Sequence, residues 1–252
     1  MISLIPVRGL PLIGVGESLP ELILDALSRD GVILQPEDVL VVAQKIVSKS
    51  EGRVVRLEDV TPSQRARELA DETAKDSRLV ELILSESVEV LRARPGVLIV
   101  QERRGFVCAN AGIDRSNVQQ GGTSEEVALL PIDPDASAGT LRDGIYARTG
   151  LRIPVIINDS HGRAWREGTV GVAIGIAGMP AVWDRRGETD LTGYTLENTV
   201  IGVADELASA ASLLMGPAAE GVPAVVVRGA RLPTGCGDAR QLQRPRERDL
   251  FR

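Results

Sequence analysis

The chain has few of the side chains that bind zinc or form disulfides. Only one of its 252 residues, His161, is a histidine, and only two, Cys108 and Cys236, are cysteines. A zinc site takes several histidine or cysteine ligands, and a disulfide framework takes several cysteine pairs. Any metal must therefore be held by oxygen atoms. Cys108 lies in an apolar run and is predicted to be buried, and Cys236 lies in a Gly-rich segment and is predicted to be a loop residue.

Long apolar runs and a positive net charge are also missing. No run reaches the roughly 20 apolar residues that a membrane-spanning helix needs, and the first residues lack the basic start and apolar core of a signal peptide. The net charge is −6, which argues against a nucleic-acid partner because phosphate backbones favour clustered Lys and Arg. The sequence predicts a cytoplasmic protein with no nucleic-acid and no membrane partner.

Lysine and aromatic residues are scarce as well. Only three of the 29 basic residues are lysines, and aromatic residues make up 2% of the chain. Two of these lysines, Lys45 and Lys49, follow an apolar run at 38–43. A lysine ammonium is a compact charge that suits a nucleotide phosphate, so Lys49 is a candidate phosphate ligand. A solvated surface charge is the alternative for both lysines.

Apolar periodicity and turn residues predict a mixture of helices and strands. Strands are predicted at 2–7, 38–43, 88–93, 97–102, 105–110, 153–158, 170–178 and 222–229. Helices are predicted at 21–29, about 63–75, 79–84, 136–149 and 195–215, with capping boxes at Ser18 and Thr61. Because the elements do not alternate strictly, the fold class is α+β (mixed α/β). One domain spans 1–240, with room for two interwoven subdomains, and a charged tail spans 241–252.

Three polar segments directly follow apolar strands, and all three are expected to be loops. They are Gln44–Ser50, Asn110–Asn117 and Asn158–Arg163. Polar groups at strand ends can line a crevice at the edge of a sheet. If two of these strands end at the same edge, Asp114 and Asp159 could share a divalent cation. The alternative is that both aspartates make Asx turns or helix caps.

A shared cation would be a hard one. Mg²⁺ or Mn²⁺ suits carboxylate and hydroxyl oxygens, and Ser160 and Asn117 could add neutral oxygen ligands or phosphate donors. No Walker A motif, kinase signature or dinucleotide fingerprint occurs in the chain. The glycines at 170–178 are therefore expected to permit close packing of the backbone.

Several motifs together resemble those of the coenzyme F-420-0:gamma-glutamyl ligase (CofE-like) family. They run from IPVRGLPLI at 5–13 through DVLVVAQKIVSKSEGRV, NAGIDRSNV, LLPIDP, NDSHGR and VADELASAASLLMG to VPAVVVRG at 222–229. The resemblance implies a CofE-like fold with mixed sheets in an interlocked homodimer. It also implies a GTP-dependent ligase that adds L-glutamate to the coenzyme F-420 precursor through an acyl phosphate, with Mg²⁺ or Mn²⁺. Small residues in the helix at 195–215 and the glycines at 170–178 could serve such a dimer interface.

The resemblance also implies a role for individual residues. It makes Asp114, Asp159 and Lys49 catalytic, and Asp114, Asp159 and Ser160 metal ligands. The implied nucleotide-contacting positions are Leu10, Pro11, Leu12, Ile13, Gln44, Lys45, Lys49, Asn117, Met215, Gly216, Ala218, Ala219, Glu220, Gly221 and Val222. Pro217 departs from the family pattern, in which an acidic or polar residue helps to bind a second metal. Either Glu220, Asp205 or Glu206 substitutes there, or a backbone carbonyl and water do, or the second metal binds weakly.

Two other functions stay open at this point. The chain could be a ligase of the same mechanism that acts on a different acid or amino acid, because the residues of the substrate pocket are not evident from sequence. It could also be a non-catalytic nucleotide-binding homologue, which the proline at position 217 favours. The joint presence of Lys49, Asp114 and Asp159 argues against the second alternative.

Overall fold

The computed structural model describes residues 1–118 and 125–250, and it has the predicted α+β architecture. The strands are β1 (Ser3–Val7), β2 (Val39–Ala43), β3 (Val54–Arg56), β4 (Ser87–Arg94), β5 (Val97–Glu102), β6 (Val107–Ala109), β7 (Glu126–Ala128), β8 (Val155–Arg163), β9 (Arg166–Ala177), β10 (Trp183–Asp184), β11 (Val200–Ile201) and β12 (Ala224–Arg228). The helices are α1 (Leu19–Arg29), α2 (Gln44–Ser50), α3 (Gln64–Thr73), α4 (Ser77–Ser85), α5 (Pro134–Thr149) and α6 (Val203–Met215).

A five-stranded mixed sheet forms the centre of the fold, in the order β1-β12-β2-β8-β9. β2 and β8 run parallel, and every other neighbouring pair in this sheet is antiparallel. Both faces of the sheet are covered, which is why β2 and β12 read as continuous apolar runs and not as alternating ones. Within β2, Leu40 and Val42 belong to the core on one face, and Val39 and Val41 belong to the core on the other.

Helices α1 and α5 cover the first face of the sheet. α1 buries Leu19, Ile23, Ala26 and Leu27, the spacing of one helical stripe. α5 approaches β9 closely at Gly175, where an added Cβ would overlap the backbone of Pro134. Gly175 is therefore required by the close contact between this strand and the helix.

Helix α6 covers the second face. Its Ala204, Ala208 and Ala211 are fully buried against the sheet. A Cβ on Gly171 of β9 would lie 2.5 Å from the backbone oxygen of Ala208. The prediction that the glycines of this strand permit close packing is thus confirmed. Since the contact lies within one chain, these small residues give no support to a dimer interface.

A second layer of structure has its own hydrophobic core. Helices α3 and α4 pack on the three-stranded sheet β4-β5-β6, with Leu57, Leu69, Val80, Ile83 and Leu98 almost completely buried. A short 3-10 helix, Asn110–Gly112, follows β6. Segment 110–117 therefore runs from the end of β6 in this second layer towards the main sheet.

Two of the three segments predicted as loops are regular structure, and this prediction is wrong for them. Gln44–Ser50 forms the helix α2, which buries Ile46 and Val47. Asn158–Arg163 continues β8, because β9 pairs with it through to Arg166. The polar side chains of Asn158–Arg163 do not prevent strand formation, because the backbone hydrogen bonds between β8 and β9 do not depend on side-chain polarity.

Element ends differ from the prediction where local hydrogen bonds decide them. Ser18 precedes α1 but makes no capping bond, and Ser63, not Thr61, caps α3 by accepting from the Ala66 backbone N–H at 3.2 Å. α6 begins at Val203 and not near 195, because β11 pairs with β10 just before it.

Part of the predicted tail is also structured. Short 3-10 helices occupy Ala239–Leu242 and Arg246–Arg248, and residues 251–252 lie outside the described part of the chain. Among residues 1–118 and 125–250, no helix combines the length and apolar character that crossing a membrane requires.

The close contact between α5 and β9 predicts opposite effects for two glycine substitutions. Gly175→Ala should lower the free energy of unfolding by about 1–3 kcal/mol, because the methyl group would overlap Pro134. Gly139→Ala in the same helix α5 meets no atom within 4 Å and should be neutral or stabilising by up to about 1 kcal/mol. Urea denaturation measures both variants, and wild-type stability of Gly175→Ala would contradict the contact.

Candidate active site

A cleft of about 680 Å³ opens where β2, β8 and β9 meet the end of β6 and the end of α6. Its lining is rich in polar side chains that carry oxygen or nitrogen. The lining residues include Gln44, Lys45, Cys108, Asn110, Asp114, Ser116, Asn117, Asn158, Asp159, Ser160, His161, Gly171, Met215, Gly216 and Pro217.

The parallel pairing of β2 with β8 brings two of the predicted segments together. Ala43, the last residue of β2, is the register partner of Asn158 in β8. The next residue in each segment, Gln44 or Asp159, therefore lies at the same edge of the sheet. Segment 110–117 reaches this edge from the second layer, held by an isolated antiparallel bridge between Asp114 and Ala128.

Lys45 and Asp114 form an ion pair in the cleft wall. The Lys45 Nζ lies 2.8 Å from one Asp114 carboxylate oxygen and donates to the Ser116 hydroxyl at 3.0 Å. The other Asp114 oxygen accepts from the Ser116 backbone N–H and hydroxyl, both at 2.9 Å. The bond from the Ser116 backbone N–H to Asp114 forms the Asx turn that was the alternative for this residue. Asp114 therefore makes the turn and also lies in the cleft wall.

Lys49 ties together three segments that are distant in sequence. Its Nζ donates to the backbone oxygen of Asn117 at 2.7 Å, and the Asn117 Nδ2 donates to the backbone oxygen of Ala218 at 2.8 Å. Burial, and secondarily the charge of Lys45, lower the pKa of Lys49. Lys49 is thus a buried cation, and the surface-charge alternative is wrong for it.

Asp159 pairs with the only histidine of the chain. One carboxylate oxygen lies 2.9 Å from the His161 Nε2, and the other accepts from the Ser160 backbone N–H at 2.8 Å. Burial raises the pKa of Asp205, whose carboxylate accepts from the Ala173 backbone N–H at 2.9 Å. The nearby His161 has the opposite effect and lowers the pKa of Asp205, so the two side chains interact electrostatically.

The donor set fits a hard divalent cation and not zinc. Within residues 1–118 and 125–250, no three His, Cys, Asp or Glu side chains are grouped to hold a metal. The cleft offers two carboxylates, Asp114 and Asp159, with the Ser160 hydroxyl. Mg²⁺ is commonly held by one or two carboxylates, with water and substrate phosphates as its other ligands. These residues therefore suit Mg²⁺ or Mn²⁺ bound together with a phosphate.

A comparison with protein families identifies the family of this chain. A model of the family described as F420-0:Gamma-glutamyl ligase matches residues 9–229. The chain belongs to the F420-0:gamma-glutamyl ligase family. The family assignment made from the sequence motifs is confirmed, and as a member of this family the chain is an enzyme of the ligase class.

Relatives match over nearly their whole length. The coenzyme F420:L-glutamate ligase of Methanothermobacter thermautotrophicus is 49% identical, with 100% of this chain and 99% of the relative covered. The enzyme of the same name from Archaeoglobus fulgidus is 47% identical, with 100% and 96% covered. The one from Methanocaldococcus jannaschii is 44% identical, with 96% and 94% covered.

The structure brings about half of the positions implied by the family to the cleft wall. Those in the wall are Gln44, Lys45, Asp114, Asn117, Asp159, Ser160, Met215 and Gly216. Lys49 and Ala218 are joined to the wall through Asn117.

The remaining implied positions, Leu10–Ile13 and 219–222, are not in the cleft wall. Ile13 is buried in the core that also holds Ile46 and Val47 of α2. Glu220 accepts from the Ala218 backbone N–H at 2.8 Å and so stabilises its own turn. Pro217 lines the cleft without a side-chain ligand.

Two asparagines of the cleft, Asn110 and Asn158, were not predicted as site residues. Each opens a motif in which an aspartate, Asp114 or Asp159, is the more evident metal ligand. Their Oδ1 atoms are buried and make no hydrogen bond. Only the folded environment reveals this, because sequence does not show which polar atoms lack a partner.

Proposed function

We propose that this ligase joins L-glutamate to the coenzyme F420-0 precursor through an amide bond, with GTP as the co-substrate. The observation that carries the proposal is full-length similarity to enzymes of that name, combined with a cleft that gathers Lys45, Asp114 and Asp159. GTP in particular is proposed from the resemblance. The cleft wall carries one lysine, Lys45, and two carboxylates, Asp114 and Asp159, so a polyanionic nucleotide would bind there together with a divalent cation.

The proposed reaction has two steps. A carboxylate of the precursor attacks the γ-phosphorus of GTP, which breaks the bond to GDP and gives an acyl phosphate. The neutral amine of glutamate then attacks the acyl carbon, so the C–N bond forms and the C–O bond to phosphate breaks. The nitrogen loses a proton, and inorganic phosphate leaves. Such chemistry depends mainly on positioning and on neutralisation of charge.

Residues in and beside the cleft supply both the positioning and the neutralisation of charge. Lys49 and Lys45 provide positive charge for the phosphates, and the bond from Lys49 to Asn117 fixes the turn that carries Asp114. Mg²⁺ or Mn²⁺ held by Asp114, Asp159 and Ser160 would neutralise phosphate charge when bound. The nucleotide contacts at Leu10–Ile13 and Met215–Val222 are proposed from the resemblance.

The test is incubation with GTP, Mn²⁺, L-glutamate and the precursor, followed by mass spectrometry of the product. The expected product is the precursor plus one or more glutamyl groups, with one GDP and one phosphate for each. Asp114→Asn and Asp159→Asn should each lower turnover at least about 100-fold, since a lost electrostatic contact in a phosphoryl-transfer site costs several kcal/mol.

The two alternatives give different results in that assay. A ligase for another acid or amino acid would release GDP only with a different acceptor, which a panel of amino acids would identify. A non-catalytic homologue would bind GTP without releasing GDP under any combination of substrates. Either result would reject the proposed substrates.

Lys49 offers a direct test of the nucleotide site. Lys49→Met should raise the Kd for GTP at least about tenfold, because a charge-assisted hydrogen bond is worth about 1.5–3 kcal/mol. Lys75→Met is the matched control, since burial also lowers the pKa of Lys75, which follows α3 in the second layer, whereas Lys49 is joined to the cleft wall through Asn117. Calorimetric titration measures both, and equal Kd values for Lys49→Met and wild type would remove Lys49 from the site.

We also propose a homodimer, as the resemblance implies. Trp165, Leu191 and Leu213 each expose 81% or more of their surface, and large exposed apolar side chains are typical of protein interfaces. Light scattering should return about twice the chain mass of 26.9 kDa. A mass near that of one chain at low micromolar concentration would reject the dimer.

A further inference from the structure

Two asparagine side chains of the cleft have buried oxygen atoms that no group satisfies. They are the Oδ1 atoms of Asn110 and Asn158. A buried amide oxygen without a partner is unfavourable, so such atoms are rare and call for an explanation. In the described part of the chain the only other unsatisfied buried side-chain atom is the Arg185 Nε, which is a donor outside the cleft lining.

The surroundings of Asn158 fix the orientation of its amide. The side chain is only 4% exposed, and its Nδ2 donates to the Met215 sulfur at 3.4 Å. A thioether sulfur accepts hydrogen bonds but cannot donate them, so the nitrogen of the amide must face Met215. A Cβ on Gly171 would lie 2.5 Å from the Oδ1, so this position must be glycine for the amide to fit.

The backbone at Asn110 is in an uncommon conformation. Asn110 has a φ of +54°, and the buried Ala111 that follows also has a φ of +54°. Asparagine tolerates the left-handed region, but alanine does so only with strain. Strain of this kind persists mainly at functional sites, where surrounding structure enforces it. The fold thus holds Asn110 in the cleft wall at an energetic cost.

The carboxylates of the same cleft have partners within the chain, and they are also the proposed ligands of the divalent cation. Asp114 accepts from Lys45 and Ser116, and Asp159 accepts from Ser160 and pairs with His161. The unsatisfied acceptors in this wall are therefore neutral amides. With the proposed cation assigned to the two carboxylates and Ser160, we expect the ligand that completes these amides to bring N–H or O–H donors.

We infer that Asn158, together with Asn110, accepts hydrogen bonds from the α-amino group of the amino-acid substrate and positions its nitrogen for attack. This inference rests on the proposed function. Only the unprotonated amine can attack an acyl carbon. A carboxylate at this place would favour the ammonium and raise its pKa, whereas a neutral amide oxygen binds an amine without that effect.

Hydroxylamine separates this role from the rest of the reaction. It is a small nucleophile that traps an acyl phosphate as a hydroxamate, and it needs no binding site for an amino acid. Asn158→Ala should lower kcat/KM for L-glutamate about 30-fold, with a GTP KM within about twofold of wild type. The rate of hydroxamate formation should stay above about half of the wild-type rate. Asn110→Gly should behave in the same way, because glycine keeps the left-handed backbone and removes only the amide.

Asn158→Asp adds a readout that a purely structural role would not change. The carboxylate should move the rising limb of the pH profile for glutamate ligation upward by about 1 pH unit, because it stabilises the ammonium. The hydroxylamine reaction of the same variant should keep its wild-type profile.

The outcomes distinguish this inference from the proposed function. If the wild-type enzyme forms neither glutamyl product nor hydroxamate from GTP and the precursor, the proposed function itself is wrong. If the wild-type enzyme is active but Asn158→Ala loses both reactions equally, or keeps kcat/KM for glutamate, the inference about the amine site is wrong. Thermal unfolding of each variant identifies any that fails to fold, and Asn110→Gly then decides the question.

Discussion

The parallel pairing of β2 with β8 is the contact on which the site depends. It aligns Ala43 with Asn158, so α2 leaves the sheet beside the polar half of β8. The two lysines of α2 contact segment 110–117, and Lys45 lines the same cleft as Asp159. A shift of one residue in this register would turn the side chains of the polar half of β8 to the opposite faces.

Close approach of helices to the sheet is the second constraint. Gly175 admits α5, and Gly171 admits both α6 and the Asn158 amide. With aromatic residues at 2% of the chain, the core is filled by aliphatic side chains and alanine, which pack in thin layers. The same glycine thus serves the core and the cleft wall, so packing and site geometry are not independent in β9.

The sequence was informative where apolar runs and special residues carry the signal, as in β2, β9, β12 and the second half of α6. The sequence did not predict α2 or the polar half of β8. A seven-residue helix such as α2, and a polar strand that pairs with its neighbour in a long hairpin, as β8 does with β9, are determined by tertiary contacts. Asp114 and Asp159 were identified because a carboxylate that follows an apolar strand is a recognisable candidate metal ligand. Asn110 and Asn158 were not, because an amide becomes notable only when its partners are known to be missing.

The strand order also has a consequence for how the chain is made. β1 leaves the ribosome before the other strands of this sheet, and within the described residues its only partner is β12, more than two hundred residues later. β12 in turn stands between β1 and β2. The sheet can therefore be completed only after β12 has been synthesised, and the edges of β1 and β2 that pair with β12 stay unpaired until then. Long-range closure of this kind is slow and leaves nascent chains open to aggregation.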